Sequence, residues 1–364
     1  MGFKDILGIL RDRMLPRRRA ASADQNLSPH ERLVRDYDLH LVELHDEIPR
    51  LIPQRDAMRA AWRRRDFLAY HQAFEAARQA DGIAENGKPH YSLVKEWFLD
   101  EFLTIPDDDD AGLRHETLLE AFEGFFRQHP SPFSAATYAD ALRMTAFTWR
   151  GTEYGHDVRQ EQWQKYEAFL LKADEVLDSC PGPDDFAWRI SDYRRAANDG
   201  SIEEFQERFE AAWAQDRYNI DLCRSHARMI MPRWLGRDEH DLEVFARSAA
   251  ELTKDRFGLG FYALIQQANT EVGDHELAGT LCDPALVKQG FEDLLARFPA
   301  PSLVNYYADM LEWMEDKEAL ADLLQSRFRT IVPQIWYGDT REEKIAYAFD
   351  TLLEAAEVVD SRAA

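Results

Sequence analysis

The chain has 364 residues, 45% of them hydrophobic and 12% aromatic, and a net charge of −23. That content is enough for a large core, so the chain need not be disordered. The excess of acid argues against a nucleic-acid binder, which needs Lys and Arg to displace counterions, and favours basic partners.

Cys180, Cys223 and Cys282 are widely spaced, form no CxxC and cannot all pair. They fit a reducing, cytoplasmic compartment rather than a disulfide framework or a Cys-rich zinc site. No run of roughly 18 apolar residues predicts a membrane span.

Residues 1–19 differ from the rest. Phe3, Ile6, Leu7 and Leu10 fall at helical spacing. Lys4, Arg11, Arg13, Arg17, Arg18 and Arg19 outweigh Asp5 and Asp12, so this segment is +4 and the remainder −27. The apolar stretch is short and its arginines follow it, unlike a signal peptide. Ile6 stands where N-myristoylation requires Ser or Thr. A basic amphipathic segment suits an anionic membrane surface, a partner's groove or the acidic body of its own chain.

From Ser28 onward the pattern is helical. Ser28-Pro29-His30-Glu31 reads as a capping box with Pro at the first helical position, and Ser201-Ile202-Glu203-Glu204 repeats that logic. Ile202, Phe205, Phe209 and Ala212 share one helical face. So do Val287, Phe291, Leu294, Leu295 and Phe298, and later Ile345, Phe349, Leu352, Leu353 and Ala356. No strand is expected, because period-two alternation is missing. Asp107 to Asp110 form an acidic run that a helix N-terminus explains; a calcium loop needs alternating ligands and a bidentate Glu.

Breakers such as Gly82, Pro106, Pro130, Gly151, Gly236, Pro299 and Gly338 leave segments of about one helix each. That spacing suits antiparallel helix pairs joined by short loops. Cys180-Pro181-Gly182-Pro183 is the strongest internal break. It divides a first helical lobe, 28–180, from a second, 183–361.

Two self-similarities point to a repeat architecture. Phe122-Glu123, Pro130-Ser131-Pro132 and Tyr138-Ala139-Asp140-Ala141-Leu142 recur 169 residues later as Phe291-Glu292, Pro299-Ala300-Pro301 and Tyr307-Ala308-Asp309-Met310-Leu311. Each copy reads as helix, proline turn, helix. A Trp-x-Gly string occurs three times, as Trp149-Arg150-Gly151, Trp234-Leu235-Gly236 and Trp336-Tyr337-Gly338. Glycine there suits a left-handed helix end, and the tryptophan either covers a neighbouring pair or offers a partner-binding row. The fold expected is therefore all-α, an α-solenoid-like, tetratricopeptide-like stack of helix pairs.

Met231-x-Arg233-Trp234-Leu235-Gly236, followed by Leu242-Glu243-x-Phe245-Ala246, resembles the signature of an uncharacterised bacterial family, the domain of unknown function numbered four thousand and thirty-four. Trp149-Arg150-Gly151, followed by Phe169 and Ala173, is similar to an upstream segment of that family. Arg237-Asp238 departs from the Gly-Ser expected after the tryptophan. The resemblance covers roughly residues 60–265. It implies tetratricopeptide-like packing and no known activity, so it carries no catalytic residue.

No P-loop, dinucleotide fingerprint, HExxH, GxSxG or EF-hand string is present. No catalytic residue, cofactor or metal ligand is assigned. His156-Asp157 and Asp238-Glu239-His240-Asp241 put imidazole beside carboxylate, as a general base or metal site would, and as a polar helix start also would. Tyr218, Arg224 and Arg228 suit a polar groove or an ordinary helix surface. The leading expectation is a non-enzymatic scaffold or adaptor that binds a protein or peptide, including neutralisation of a basic partner. Its candidate motif residues are Trp149, Arg150, Gly151, Arg233, Trp234, Gly236, Trp336 and Gly338. The alternatives are an enzyme with a site between helices near His156 or His240, and a peripheral membrane protein anchored by residues 1–19.

Overall fold

The computed structural model describes residues 27–105, 110–151, 158–199, 201–232, 234–270 and 281–363. The basic segment 1–19, Asp107 to Asp109, His156-Asp157 and Arg233 lie outside the described residues. Among the described residues sixteen α-helices follow one another: α1 Pro29–Asp36, α2 Ile52–Arg63, α3 Phe67–Gln79, α4 His90–Leu103, α5 Ala111–Gln128, α6 Pro132–Arg150, α7 Gln160–Ser179, α8 Phe186–Asp199, α9 Ile202–Trp213, α10 Ile220–Met229, α11 Glu239–Phe257, α12 Gly260–Thr270, α13 Pro284–Arg297, α14 Pro301–Trp313, α15 Lys317–Ser326 and α16 Arg341–Ala363. None of the described helices is long and apolar enough to cross a membrane.

Caps set the helix starts. Ser28 accepts the Glu31 amide at 3.2 Å while the Glu31 carboxylate takes the Ser28 amide at 2.7 Å, which completes the expected box. Ser201 accepts the Glu204 amide at 3.2 Å. Pro132, Pro284 and Pro301 occupy the first turn of α6, α13 and α14, where a missing N–H costs nothing.

Short loops fold consecutive helices back onto each other. Helices two apart also pack: α2 on α4, α6 on α8, α10 on α12 and α12 on α14. These four pairs give the stack an even-numbered layer, and on the other side α11 also packs on α13. The apolar faces read from periodicity supply its core, with Phe205, Phe209, Val287, Phe291, Ile345, Phe349 and Leu352 all buried.

The two proline-turn repeats are the pairs α5–α6 and α13–α14. Ala139 and Ala308 are fully buried, so each allows a close helix approach. Tyr307 stacks on Phe291 at 4.9 Å, whereas Tyr138 meets Phe126 at 6.2 Å.

The hydrophobic core is continuous from Leu33 to Ala355. It crosses the Cys180–Pro183 turn, where the Trp188 indole donates to the Leu177 carbonyl at 3.3 Å.

The sequence predicts no strand, yet one pair exists. β1 (His40–Leu41) runs parallel to β2 (Thr330–Ile331). Two residues are too few for alternation to register. This pair is part of a seam that joins the two ends of the stack. His30 of α1 meets Phe349 of α16 at 5.5 Å between ring centroids. Glu47 accepts the Ser302 amide at 2.8 Å, the Ser302 hydroxyl at 3.0 Å and the Asn86 side-chain amide at 3.0 Å. The Ala300 amide donates to the Glu85 carbonyl at 3.2 Å.

Candidate functional site

The three Trp-x-Gly strings take three different environments. Trp149 ends α6 against Gly112 of α5, where a Cβ would sit 2.6 Å from the indole. Gly151 follows with φ +70°, and its carbonyl accepts from Arg150 at 2.9 Å. Trp234 is 53% exposed. Gly236 closes that turn, and a side chain there would overlap the Ile230 carbonyl. Trp336 is 2% exposed and donates to Asn305 Oδ1 at 2.7 Å. Gly338, at φ +138°, leads into α16. The tryptophans therefore do not share one surface.

Several residues that carry the family resemblance, though not the half-exposed Trp234, sit at packed joints. Ala173 and Ala246 are fully buried. Phe245 lies edge-on to Phe209 and to His226. Glu243 accepts from the Tyr262 hydroxyl and the Gln266 amide, both at 2.8 Å. Asp238 caps α11 by accepting the His240 amide at 2.9 Å, and the His240 side chain is 74% exposed. The His–carboxylate pair there is a helix cap on the surface. Among the described residues, no three His, Cys, Asp or Glu side chains are grouped to hold a metal ion.

A polar seam runs through the even-numbered layer. Lys95 of α4 donates to Asp140 of α6 at 2.9 Å, and Arg194 of α8 also pairs with that carboxylate. Arg143 reaches the Ser191 hydroxyl at 2.7 Å and Asp174 at 3.0 Å. Lys88, ahead of α4, pairs with Glu96 at 2.6 Å and with Asp221 of α10 at 3.3 Å. Arg224 donates to Gln267 at 2.6 Å and to the Tyr306 hydroxyl at 3.3 Å. Gln267 in turn reaches Asp309 at 3.4 Å. Burial opposes the Asp140 charge, yet Arg194, Lys95 and Arg143 together hold its carboxyl well below the usual range. Burial pushes Asp309 up to about 7, since Gln267 and Thr270 offset it only in part. Arg224 is thus buried within a polar seam between helices, and Lys88 and Lys95 are members that no motif marks.

Tyr218 faces a different recess. A cleft of about 250 Å³ lies between the end of α3, the segment leading into α4 and the turn between α9 and α10. Ala77, Ile83 and Pro89 give it apolar walls, and Arg78, Asp81, Tyr91, Asp216, Arg217 and Tyr218 give it charge and aromatic faces.

Most of those polar groups are engaged. The Tyr91 hydroxyl donates to Asp216 at 2.6 Å, and the Tyr218 amide donates to the same carboxylate at 2.9 Å. Burial first, and then Asp216, push the Tyr91 phenol well above its ordinary range, so it stays a donor. Arg217 pairs with Asp255 at 3.0 Å. Arg256 pairs with Asp81 at 2.6 Å and lies 4.2 Å above the Tyr218 ring. Arg78 differs from both. Its guanidinium stacks 4.1 Å from the Phe186 ring and 5.9 Å from Tyr91, and it makes no hydrogen bond or ion pair among the described residues.

Comparison with family models, with curated proteins and with solved structures finds no match for this chain.

Proposed function

We propose that the protein is a non-enzymatic adaptor that holds a segment of another protein in the cleft between α3 and the α9–α10 turn. One observation carries the reading. The cleft joins stretches distant in sequence, 77–91 and 214–218, into a recess with aromatic faces, guanidinium groups and carboxylates. Tyr and Arg are the side chains enriched where proteins grip one another.

The net charge of −23 adds long-range attraction for a basic partner, in keeping with an adaptor or a neutralising protein. The family resemblance and a cytoplasmic setting are part of the same proposal, and neither alters the chemistry of the cleft.

The test is a photo-crosslinking residue in place of Gln215, on the cleft wall, compared with one in place of Leu171, which is 63% exposed on α7. The full chain is irradiated in the cells that make it. One stoichiometric adduct from position 215 alone, weakened by salt, is expected. Equal adducts from both positions, or none from 215, overturn the reading.

A further inference from the structure

We infer that the cleft is a carboxylate site anchored by Arg78. Its ligand is a monocarboxylate with an apolar body, either the C-terminal carboxylate of a peptide or a small-molecule acid. The inference rests on the cleft being the docking site, not on the partner being a protein.

The geometry of three guanidinium groups leads there. Arg217 and Arg256 are neutralised by Asp255 and Asp81. Arg78 has its guanidinium carbon over the Phe186 ring, 4.1 Å from the centroid, while its N–H groups are unclaimed among the described residues. A guanidinium held over a ring keeps its donors in its own plane, which suits two parallel bonds to a planar carboxylate.

Charge selects a monoanion. Arg78, Arg217 and Arg256 face Asp81, Asp216 and Asp255, so the recess has no positive surplus to stabilise a phosphate dianion. Size selects a small body. At about 250 Å³ the cleft is below the roughly 300–1,000 Å³ of drug-sized pockets. One side chain or one aryl group against Ile83 and Pro89 fills it.

The test is calorimetric titration of the full chain with phenylacetate, phenylacetamide, inorganic phosphate, and acetyl-Ala-Phe as free acid and as amide. Phenylacetate or the free-acid dipeptide is expected to bind at least about tenfold tighter than its amide and than phosphate, the scale of a lost charge-assisted hydrogen bond. Tighter binding of the free-acid dipeptide assigns a peptide terminus; tighter binding of phenylacetate assigns a small acid. Arg78→Gln should remove the preference for acid over amide, and Arg78→Lys should retain part of it, as a point charge without the fork. Equal binding of acid and amide, stronger phosphate binding, no acid binding, or full acid binding by folded Arg78→Gln overturns the inference. A position-215 adduct that survives Arg78→Gln without acid binding leaves the adaptor reading standing. Acid binding without any adduct does the reverse.

Discussion

Asp140 and Asp309 occupy the same position in two copies of one helix pair, 169 residues apart, and sit in opposite electrostatic surroundings. Asp140 faces Lys95, Arg194 and Arg143. Asp309 faces the side-chain amide of Gln267 and the hydroxyl of Thr270. The repeat fixes where the carboxylate points, and the neighbouring helix decides whether it is charged.

Asn at the two sites should therefore act with opposite sign. Asp140→Asn strands buried cations and is expected to cost about 3–5 kcal/mol at neutral pH. Asp309 has a folded pKa of about 7, above its unfolded value. Its contribution is complete below the unfolded pKa and lost as pH rises to about 7. Asp309→Asn should then gain about 2 kcal/mol over the parent at pH 8, and nothing near pH 4. Urea unfolding at the two pH values checks both; destabilisation by Asp309→Asn at pH 8 contradicts the assignment.

His226 is expected to make the protein acid-sensitive. It is buried, stacks on Phe209 at 3.6 Å and meets the Tyr193 hydroxyl at 3.4 Å. Burial lowers its pKa to about 3. The folded state thus favours the neutral ring, so stability is full above the unfolded pKa and falls as pH drops from there towards 3. The expected loss between pH 6.5 and 5 is about 2 kcal/mol, at ~1.4 kcal/mol per pH unit. His226→Phe should flatten this slope, which unfolding midpoints at the two pH values would reveal.

Trp234 and Trp336 should differ sharply on truncation. Trp336→Ala opens the core and leaves Asn305 without its indole donor, at an expected cost of about 3–5 kcal/mol. Trp234 is more than half exposed, and its replacement by Ala should cost about 0.5 kcal/mol. Thermal unfolding of both variants decides; equal losses would place Trp234 in a packed site.

Glu47 pins the amino-terminal side of the seam to α14 through two hydrogen bonds accepted from Ser302, and it accepts a third from Asn86 ahead of α4. Burial raises its pKa, with Ser302 and Asn86 offsetting that in part. Glu47→Ala deprives buried donors of their acceptor, and about 2–4 kcal/mol should be lost. Hydrogen exchange is expected to rise first at His40–Leu41 and Thr330–Ile331 and to stay unchanged in α10. Uniform acceleration across the chain would show that the seam is not a separable unit.

Much of the architecture is legible in local patterns. The Ser28 box, the prolines of α6, α13 and α14, and the apolar faces around Phe209, Phe291 and Phe349 need only neighbours within two helical turns to be recognised. The proline-turn repeat likewise identifies α5–α6 and α13–α14 as equivalent pairs. Trp-x-Gly is less informative, since one string serves the core at Trp336 and the surface at Trp234. What surrounds a helix end depends on elements outside the string.

Of the cleft, the sequence marks Tyr218 alone as suited to a polar groove, and it groups that residue with Arg224 and Arg228, which do not line the cleft. Arg78 ends one helix, Tyr91 begins the next and Asp216-Arg217-Tyr218 fill a turn far along the chain, each an ordinary residue for its local role. Only packing brings them together. The β1–β2 pair is hidden for the same reason, as two residues make no pattern and their partners are 290 positions apart.

That separation also orders events in time. A residue in β1 is synthesised long before its partner in β2, and closing so wide a loop costs entropy that local helix pairs do not. The helix pairs can form progressively as the chain emerges. The seam comes last, when the amino-terminal strand, after waiting through most of the protein's synthesis with an unpaired edge, receives a partner. Until then that edge is open to other chains, so the two-residue length of β1 limits its exposure during the interval when the protein is most vulnerable to mispairing.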